Sequence, residues 1–394
     1  MADWKQSLGK FIARVESKVD EQRVKHGLFQ GRGTVRIEPY RGYGCADRAY
    51  LKGRVLRGAP LPAAAEGQSM LVNVASMIQR FESDEVAGAR VRVVYAGGQE
   101  VVTADQEGYF EVWVHPRPEF GAHALWHEVA LELEHPVPEG AEPSRALGHI
   151  LVPPPQAAFG VISDLDDTVV RTDATSTLRM ARNVLLTNAR TRVPFPGVAA
   201  FYRALQQGTG STPFNPIFYV SSSPWNIHDL LSEFLTLQQI PIGPLLLRDW
   251  GVSAQETLPT GHAGHKLEAI KRILSLLPAL PFVLIGDSGQ EDPEIYHRVV
   301  HDYPDRIRAV YIRNVTPRPE RVFSIRKLAA EVEKAGSVLV LADDTLAAAK
   351  DAASRGWITE AALAEVAASA QEQERPTPPG TAAANRELST DASE

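Results

Sequence analysis

The chain has 394 residues, 44% of them hydrophobic and 23% charged, the balance of a folded globular protein too long for one ordinary core. A formal charge of −7 excludes an electrostatic footprint for nucleic acid, and a single cysteine, Cys45, excludes an internal disulfide framework. No apolar run reaches the roughly 18 residues that a membrane span needs, and no apolar leader precedes a small-residue cleavage site, so the cytoplasm is the expected location.

Residues 3–26 carry Trp4, Leu8, Phe11, Ile12, Val15 and Val19 at the 3–4 spacing of one apolar stripe, which predicts an amphipathic helix over 1–30. Such a helix docks on its own protein or lies on a membrane surface, and peripheral membrane contact is one expectation. Asp3, Glu16, Asp20 and Glu21 on its polar face weaken attraction to anionic lipid.

From 31 to 135 the period falls to two. Thr34–Ile37, Tyr50–Leu56, Ala89–Tyr95, Gln99–Thr103, Tyr109–Val114 and Trp126–Leu133 alternate, with Gly97-Gly98 and Asp105–Gly108 as turns, which predicts an antiparallel β-sandwich. The run Gly88–Val114 resembles the small prealbumin-like sandwich modules appended to many enzymes. Residues 134–157 hold six prolines, and 136–157 reads as a stiff connector.

Beyond it, apolar strands alternate with helical patterns. Strands are expected at 159–163, 217–221, 244–247, 281–286 and 308–312, with helices near 176–187, after Pro196-Gly197, at 226–236, at 265–276 and after 293. A strand at Ser337–Leu341 extends the set. This order predicts a doubly wound parallel sheet over 158–370, followed by a disordered Pro-, Thr-, Glu-, Ala- and Ser-rich tail over 371–394.

Four signals carry the chemistry. Phe159–Ser163 is an apolar run that ends in Asp164-x-Asp166-x-Thr168. Ile217–Val220 ends in Ser221-Ser222-Ser223 and passes into a helix. His265-Lys266 opens another helix, and Phe282–Ile285 ends in Gly286-Asp287, with Asp292 five residues on. Carboxylates at the carboxyl ends of parallel strands meet in one crevice, and acids packed so closely call for a hard cation such as Mg²⁺. Phosphoryl transfer asks for such parts: an attacking carboxylate, a proton donor, and cations or hydroxyls around the phosphoryl oxygens.

The ordered set resembles the haloacid dehalogenase (HAD) superfamily of aspartate-nucleophile phosphohydrolases. The strings ISDLDDTV, YVSSSPWN, GPLLLRDWG and LIGDSGQEDPEIY resemble, within it, the App1-type phosphatidate phosphatase domain, related to lipin-type domains. The resemblance implies a Mg²⁺-dependent hydrolase acting on phosphatidate through an aspartyl phosphate. It implies Asp164 as nucleophile, Asp166 as general acid and base, Ser221 as donor to the phosphoryl group and Lys266 as its counter-charge. Asp164 and Asp287, with the Asp166 main-chain carbonyl, would hold the metal, and Asp292 would orient the set.

Alternatives stay open at several positions. A one-residue shift of the strand end substitutes Ser222 or Ser223 for Ser221. Thr168, Ser222 and Arg248 are candidate substrate contacts, although Arg248 with Asp249 reads equally as a surface ion pair. Residues 171–195, with Arg171, Arg179, Arg182, Arg190 and Arg192, are the candidate lid, small enough to leave an open site. The competing functions are a phosphatase of soluble phosphoesters and a catalytically silent phospholipid-binding module. The residues specify no oligomeric state.

Overall fold

The computed structural model describes residues 34–58, 84–117, 121, 123–137, 140, 142–169, 194–248 and 262–374. The helices expected at 1–30 and 176–187, the basic stretch from Arg171 to Arg192, and all but the first residues of the tail lie outside these.

The amino-terminal part is a nine-stranded sheet, almost wholly antiparallel. Its strands are β1 (Val35–Pro39), β2 (Gly42–Gly44), β3 (Ala49–Arg57), β4 (Asp84–Glu85), β5 (Arg90–Tyr95), β6 (Gly98–Thr103), β7 (Tyr109–Val114), β8 (Trp126–His135) and β9 (Arg145–Leu151). The period-two alternation acts as expected in β5, where Val91, Val93 and Tyr95 are buried and Arg90, Arg92 and Val94 face out. With Leu51 and Val55 of β3, Phe110 and Val112 of β7, and Val129 and Leu131 of β8, these side chains form one core.

One difference falls in the stretch expected as a connector, 136–157. Its middle is β9, which pairs antiparallel with β8 and parallel with β2, so it lies inside the sheet. Its prolines flank Arg145–Leu151 and interrupt no ladder hydrogen bond within it, and Gly148, Ile150 and Leu151 turn inward.

The carboxyl-terminal part is a six-stranded parallel sheet of β10 (Gly160–Asp164), β11 (Ile217–Pro224), β12 (Leu245–Arg248), β13 (Phe282–Asp287), β14 (Ile307–Arg313) and β15 (Leu339–Ala342). Between and after them run α1 (Val198–Gln207), α2 (His228–Leu237), α3 (His262–Leu276), α4 (Asp292–Asp302), α5 (Pro319–Lys334), α6 (Thr345–Ser354) and α7 (Glu360–Glu374). The strand order is β12-β11-β10-β13-β14-β15. Both faces of the sheet are buried, which is why its strands read as continuous apolar runs. Val161, Tyr219, Val283 and Tyr311 pack with α1, α2, α6 and α7, while Ile162, Phe218, Leu284 and Val310 pack with α3, α4 and α5.

Tyr43, Tyr50 and Leu151 of the first sheet, with Leu125 just before β8, join this second cluster, so the antiparallel sheet docks on the α3 side. Asp344 caps α6 by accepting from the Ala347 amide at 2.7 Å. Among the described residues no helix is long and apolar enough to cross a membrane.

Candidate active site

The strand order reverses between β10 and β13: the chain moves outward through β11 and β12, then returns to the far side of β10. The helices that follow β10 and β13, α1 and α4, pack on opposite faces of the sheet, which leaves a crevice at the carboxyl ends of these strands. Asp164 closes β10 and Asp287 closes β13, and both are buried.

After β10 the chain turns sharply. Asp167 adopts a left-handed conformation (φ 55°), which Asp tolerates better than most residues. The turn carries Thr168 back so that its hydroxyl donates to Asp164 Oδ2 at 3.2 Å. Asp166 points to β11, where its Oδ2 accepts from Ser221 Oγ at 2.8 Å and from Ser223 Oγ at 3.4 Å. Ser221 Oγ also accepts the Ser223 amide at 3.0 Å. Regular pairing of β11 with β12 breaks between Val220 and Pro224, the stretch that carries these serines.

Lys266 enters from α3 with its ammonium buried. Nζ lies 2.7 Å from Asp164 Oδ1 and donates to Asp292 Oδ1 at 2.6 Å. Burial alone would pull the ammonium down, but the two carboxylates outweigh it and hold it above its ordinary value. A cation in the opening turns of a helix opposes the helix dipole, and the buried acids compensate for that here. Asp292 opens α4, where an acid suits the dipole, and its Oδ2 accepts the Asp287 amide at 3.2 Å. Asp287 Oδ1 accepts the Gly289 and Gln290 amides at 2.6 and 3.0 Å.

Ligand atoms of Asp164, Asp287 and Asp292 lie within 4.8 Å of one another. Burial pushes the Asp164 carboxyl well above the usual range; Lys266 opposes this, and Asp292, Asp287 and Asp166 add to it. Burial, then Asp292, pushes Asp287 up to about 7. A metal cation fits this donor set. Three buried carboxylates face one ammonium, all offer hard oxygens, and Asp287 Oδ2 is buried without a hydrogen-bond partner.

The structure thus brings together Asp164, Asp166, Thr168, Ser221, Lys266, Asp287 and Asp292. The Asp166 carboxylate stands apart from the three that converge, engaged instead by the serines. Ser222 and Arg248 are half-buried at neighbouring strand ends, with Arg248 opposite Pro224 in register. One contributor was invisible in the sequence. Arg321 of α5 donates to the Ser288 carbonyl at 2.8 Å and the Gln290 carbonyl at 2.5 Å, and pairs with Glu294. It thereby pins the loop whose amides hold Asp287. No spacing signal links position 321 to 287; only the position of α5 beside α4 brings them together.

A buried acid pair two residues apart, hydroxyl donors and an ammonium thus surround a crevice whose carboxylates fit a cation. Residues 159–314 match the family model described as the catalytic domain of phosphatidate phosphatase APP1, which bears out the resemblance read from the four strings. The chain is 35% identical over 156 residues to phosphatidate phosphatase APP1 of Saccharomyces cerevisiae, covering 39% of this chain and 26% of that protein. It is 29% identical over 158 residues to an uncharacterized protein of Schizosaccharomyces pombe, covering 40% of this chain and 25% of that one. The match therefore spans about a quarter of the length of each of these relatives. Among solved structures, a carbohydrate acetylesterase from Xanthomonas citri aligns over 74% of this chain and 72% of that chain, with 11% identity and a TM-score of 0.26, too low to carry any inference.

Proposed function

We propose that this chain is a Mg²⁺-dependent phosphomonoester hydrolase with a HAD-like catalytic domain, acting on phosphatidate through an aspartyl phosphate. The observation that carries the reading is the pair at the end of β10: Asp164 is matched with an ammonium, and Asp166, two residues on, is held by serine hydroxyls. A carboxylate beside a cation is poised to attack, and one beside neutral donors is free to exchange a proton.

In the first half-reaction an Asp164 oxygen bonds to phosphorus as the ester bond breaks, and Asp166 delivers its proton to the departing alkoxide. In the second, Asp166 takes a proton from water, the water oxygen bonds to phosphorus, and the acyl phosphate bond breaks to restore the Asp164 carboxylate. Lys266 offsets charge on the phosphoryl oxygens. The Ser221 hydroxyl, donated to Asp166 in the structure, turns to a phosphoryl oxygen when substrate is present. Asp164 and Asp287, with the Asp166 main-chain carbonyl, would hold Mg²⁺, and Asp292, both of whose oxygens are engaged, keeps Lys266 and Asp287 in place. Bound there, the cation would supply electrostatic stabilisation of the transferring group.

The similarity of residues 159–314 to the named catalytic domain supports phosphatidate as the substrate. Phosphate release from dispersed phosphatidate and from a panel of small phosphomonoesters, with Mg²⁺ and with chelator, tests it. Release from phosphatidate that chelator abolishes is expected. Release from small esters alone removes the lipid substrate, and lipid binding with no release at all makes the chain a recognition module.

A further inference from the structure

The serines that hold Asp166 sit where regular strand pairing is interrupted. They lie near the end of β11, whose ladder to β12 shifts register between Val220 and Pro224, so Ser221 and Ser223 depend on their bonds to Asp166 and on how the chain just after them is held. The chain then enters a 3₁₀ turn, Trp225–Ile227, with no side-chain cap.

That turn is gripped by the other sheet. Tyr40, next in the chain after β1, stacks on Trp225 with ring centroids 5.2 Å apart and planes 15° apart, and packs against His228 at 4.0 Å with the planes tilted by 34°. Lys52 of β3 places its ammonium 4.8 Å from the Trp225 ring centroid and 5.1 Å from that of Tyr109, while Glu111 fixes it by an ion pair at 2.7 Å. Tyr109 of β7 reaches Asn226 Oδ1 at 3.5 Å. Tyr40, Lys52, Tyr109 and His228 are all buried. A buried cation over an indole and an offset aromatic stack are directional contacts, so they fix orientation as well as burying area.

We infer that the antiparallel sheet is part of the catalytic apparatus: Tyr40 and Lys52 position Ser221 and Ser223, and through them Asp166, by clamping Trp225. Neither residue touches the reacting atoms; both are positioning residues. The catalytic consequence of the clamp rests on the proposed phosphohydrolase reading, whereas the clamp itself does not. A small displacement of the loop moves the donors to Asp166, and displacements of about 1 Å in such groups cost up to about 10²-fold in rate.

The test compares Tyr40→Leu, which removes the stack, with Tyr40→Phe, which keeps it, and with Leu125→Ala, which loosens the contact of the antiparallel sheet with the α3-side core cluster, a different cluster from the one Trp225 packs against. Amide hydrogen exchange is read over residues 221–226, with kcat and KM for a small aryl phosphate. For Tyr40→Leu we expect exchange in that segment faster by about tenfold, kcat lower by about tenfold or more, and KM within about threefold. Tyr40→Phe should restore both, and Leu125→Ala should change neither. Unchanged exchange in Tyr40→Leu overturns the clamp, and faster exchange with wild-type kcat overturns its catalytic role. A wild-type protein that releases no phosphate from any ester removes the phosphohydrolase reading and with it the catalytic role, while the exchange result still decides the clamp.

Discussion

Asp164 and Asp292 share one ammonium: Lys266 Nζ stands 2.7 Å from an oxygen of the first and 2.6 Å from an oxygen of the second, with all three side chains buried. The lysine is therefore both a counter-charge and the brace that keeps α4 against the end of β10. Lys266→Met leaves two buried carboxylates without it, and removing one partner of a buried pair costs about 3–5 kcal/mol. Denaturant unfolding should show a loss of that order. Adding Asp292→Asn should return part of the stability, and phosphate release should stay suppressed in both variants.

The two serines that hold Asp166 are unequal. Ser221 Oγ is fully buried at 2.8 Å and Ser223 Oγ half-buried at 3.4 Å. Ser221→Ala should lower kcat by about 10²-fold, the scale of one lost preorganised donor, and Ser223→Ala by less than about tenfold. Steady-state kinetics of the two variants distinguish the assignments, and the reverse order would move the phosphoryl contact to Ser223.

Asp287 gives the site a pH dependence. Its carboxyl is raised from 3.8 to about 7, so between those values the cation-free folded protein holds a proton that the unfolded chain has released. Stability of the cation-free protein should be greatest below about pH 4 as far as this group is concerned, and its contribution should be lost as pH rises through 7. A cation competes with the same proton, so Mg²⁺ affinity should climb up to about pH 7 and level off above it. Calorimetric titrations at several pH values check this, and Asp287→Asn should abolish the slope with the affinity.

Gly286 is held to glycine by its neighbours. A Cβ there would lie 2.5 Å from Asp292 Oδ2 and 2.8 Å from Tyr296 Cε2, so Gly286→Ala must push the start of α4 away from β13. Overpacking of this kind costs about 1–3 kcal/mol. The expected outcome is a lower Tm together with weaker Mg²⁺ binding, read by calorimetry on the same variant.

Much of this site was readable because strand ends in a parallel sheet are written locally. Asp164 and Asp287 each close an apolar run, so the run itself marks where the acid emerges. The Ser221 run carries the same mark, and the bulge at Val220–Pro224 explains why three adjacent serines could not be told apart from spacing alone. The hidden parts depend on distant elements. β9 was masked by flanking prolines, and its inward face shows only once β8 and β2 lie beside it. Arg321 and Tyr40 act on loops about 30 and about 185 residues away in the chain, and contacts of that range leave no periodicity to read.

Attack by Asp164 is the central step of the proposed reaction, and the most direct measurement of it is a trap. Borohydride added during turnover of a small phosphomonoester reduces an acyl phosphate to an alcohol, and peptide mass spectrometry locates the change. Conversion of Asp164 to homoserine, requiring substrate and Mg²⁺ and lost when Lys266→Met or chelator stops turnover, is the predicted result. Phosphate release that leaves Asp164 unmodified under trapping, or that survives Asp164→Asn, would contradict it.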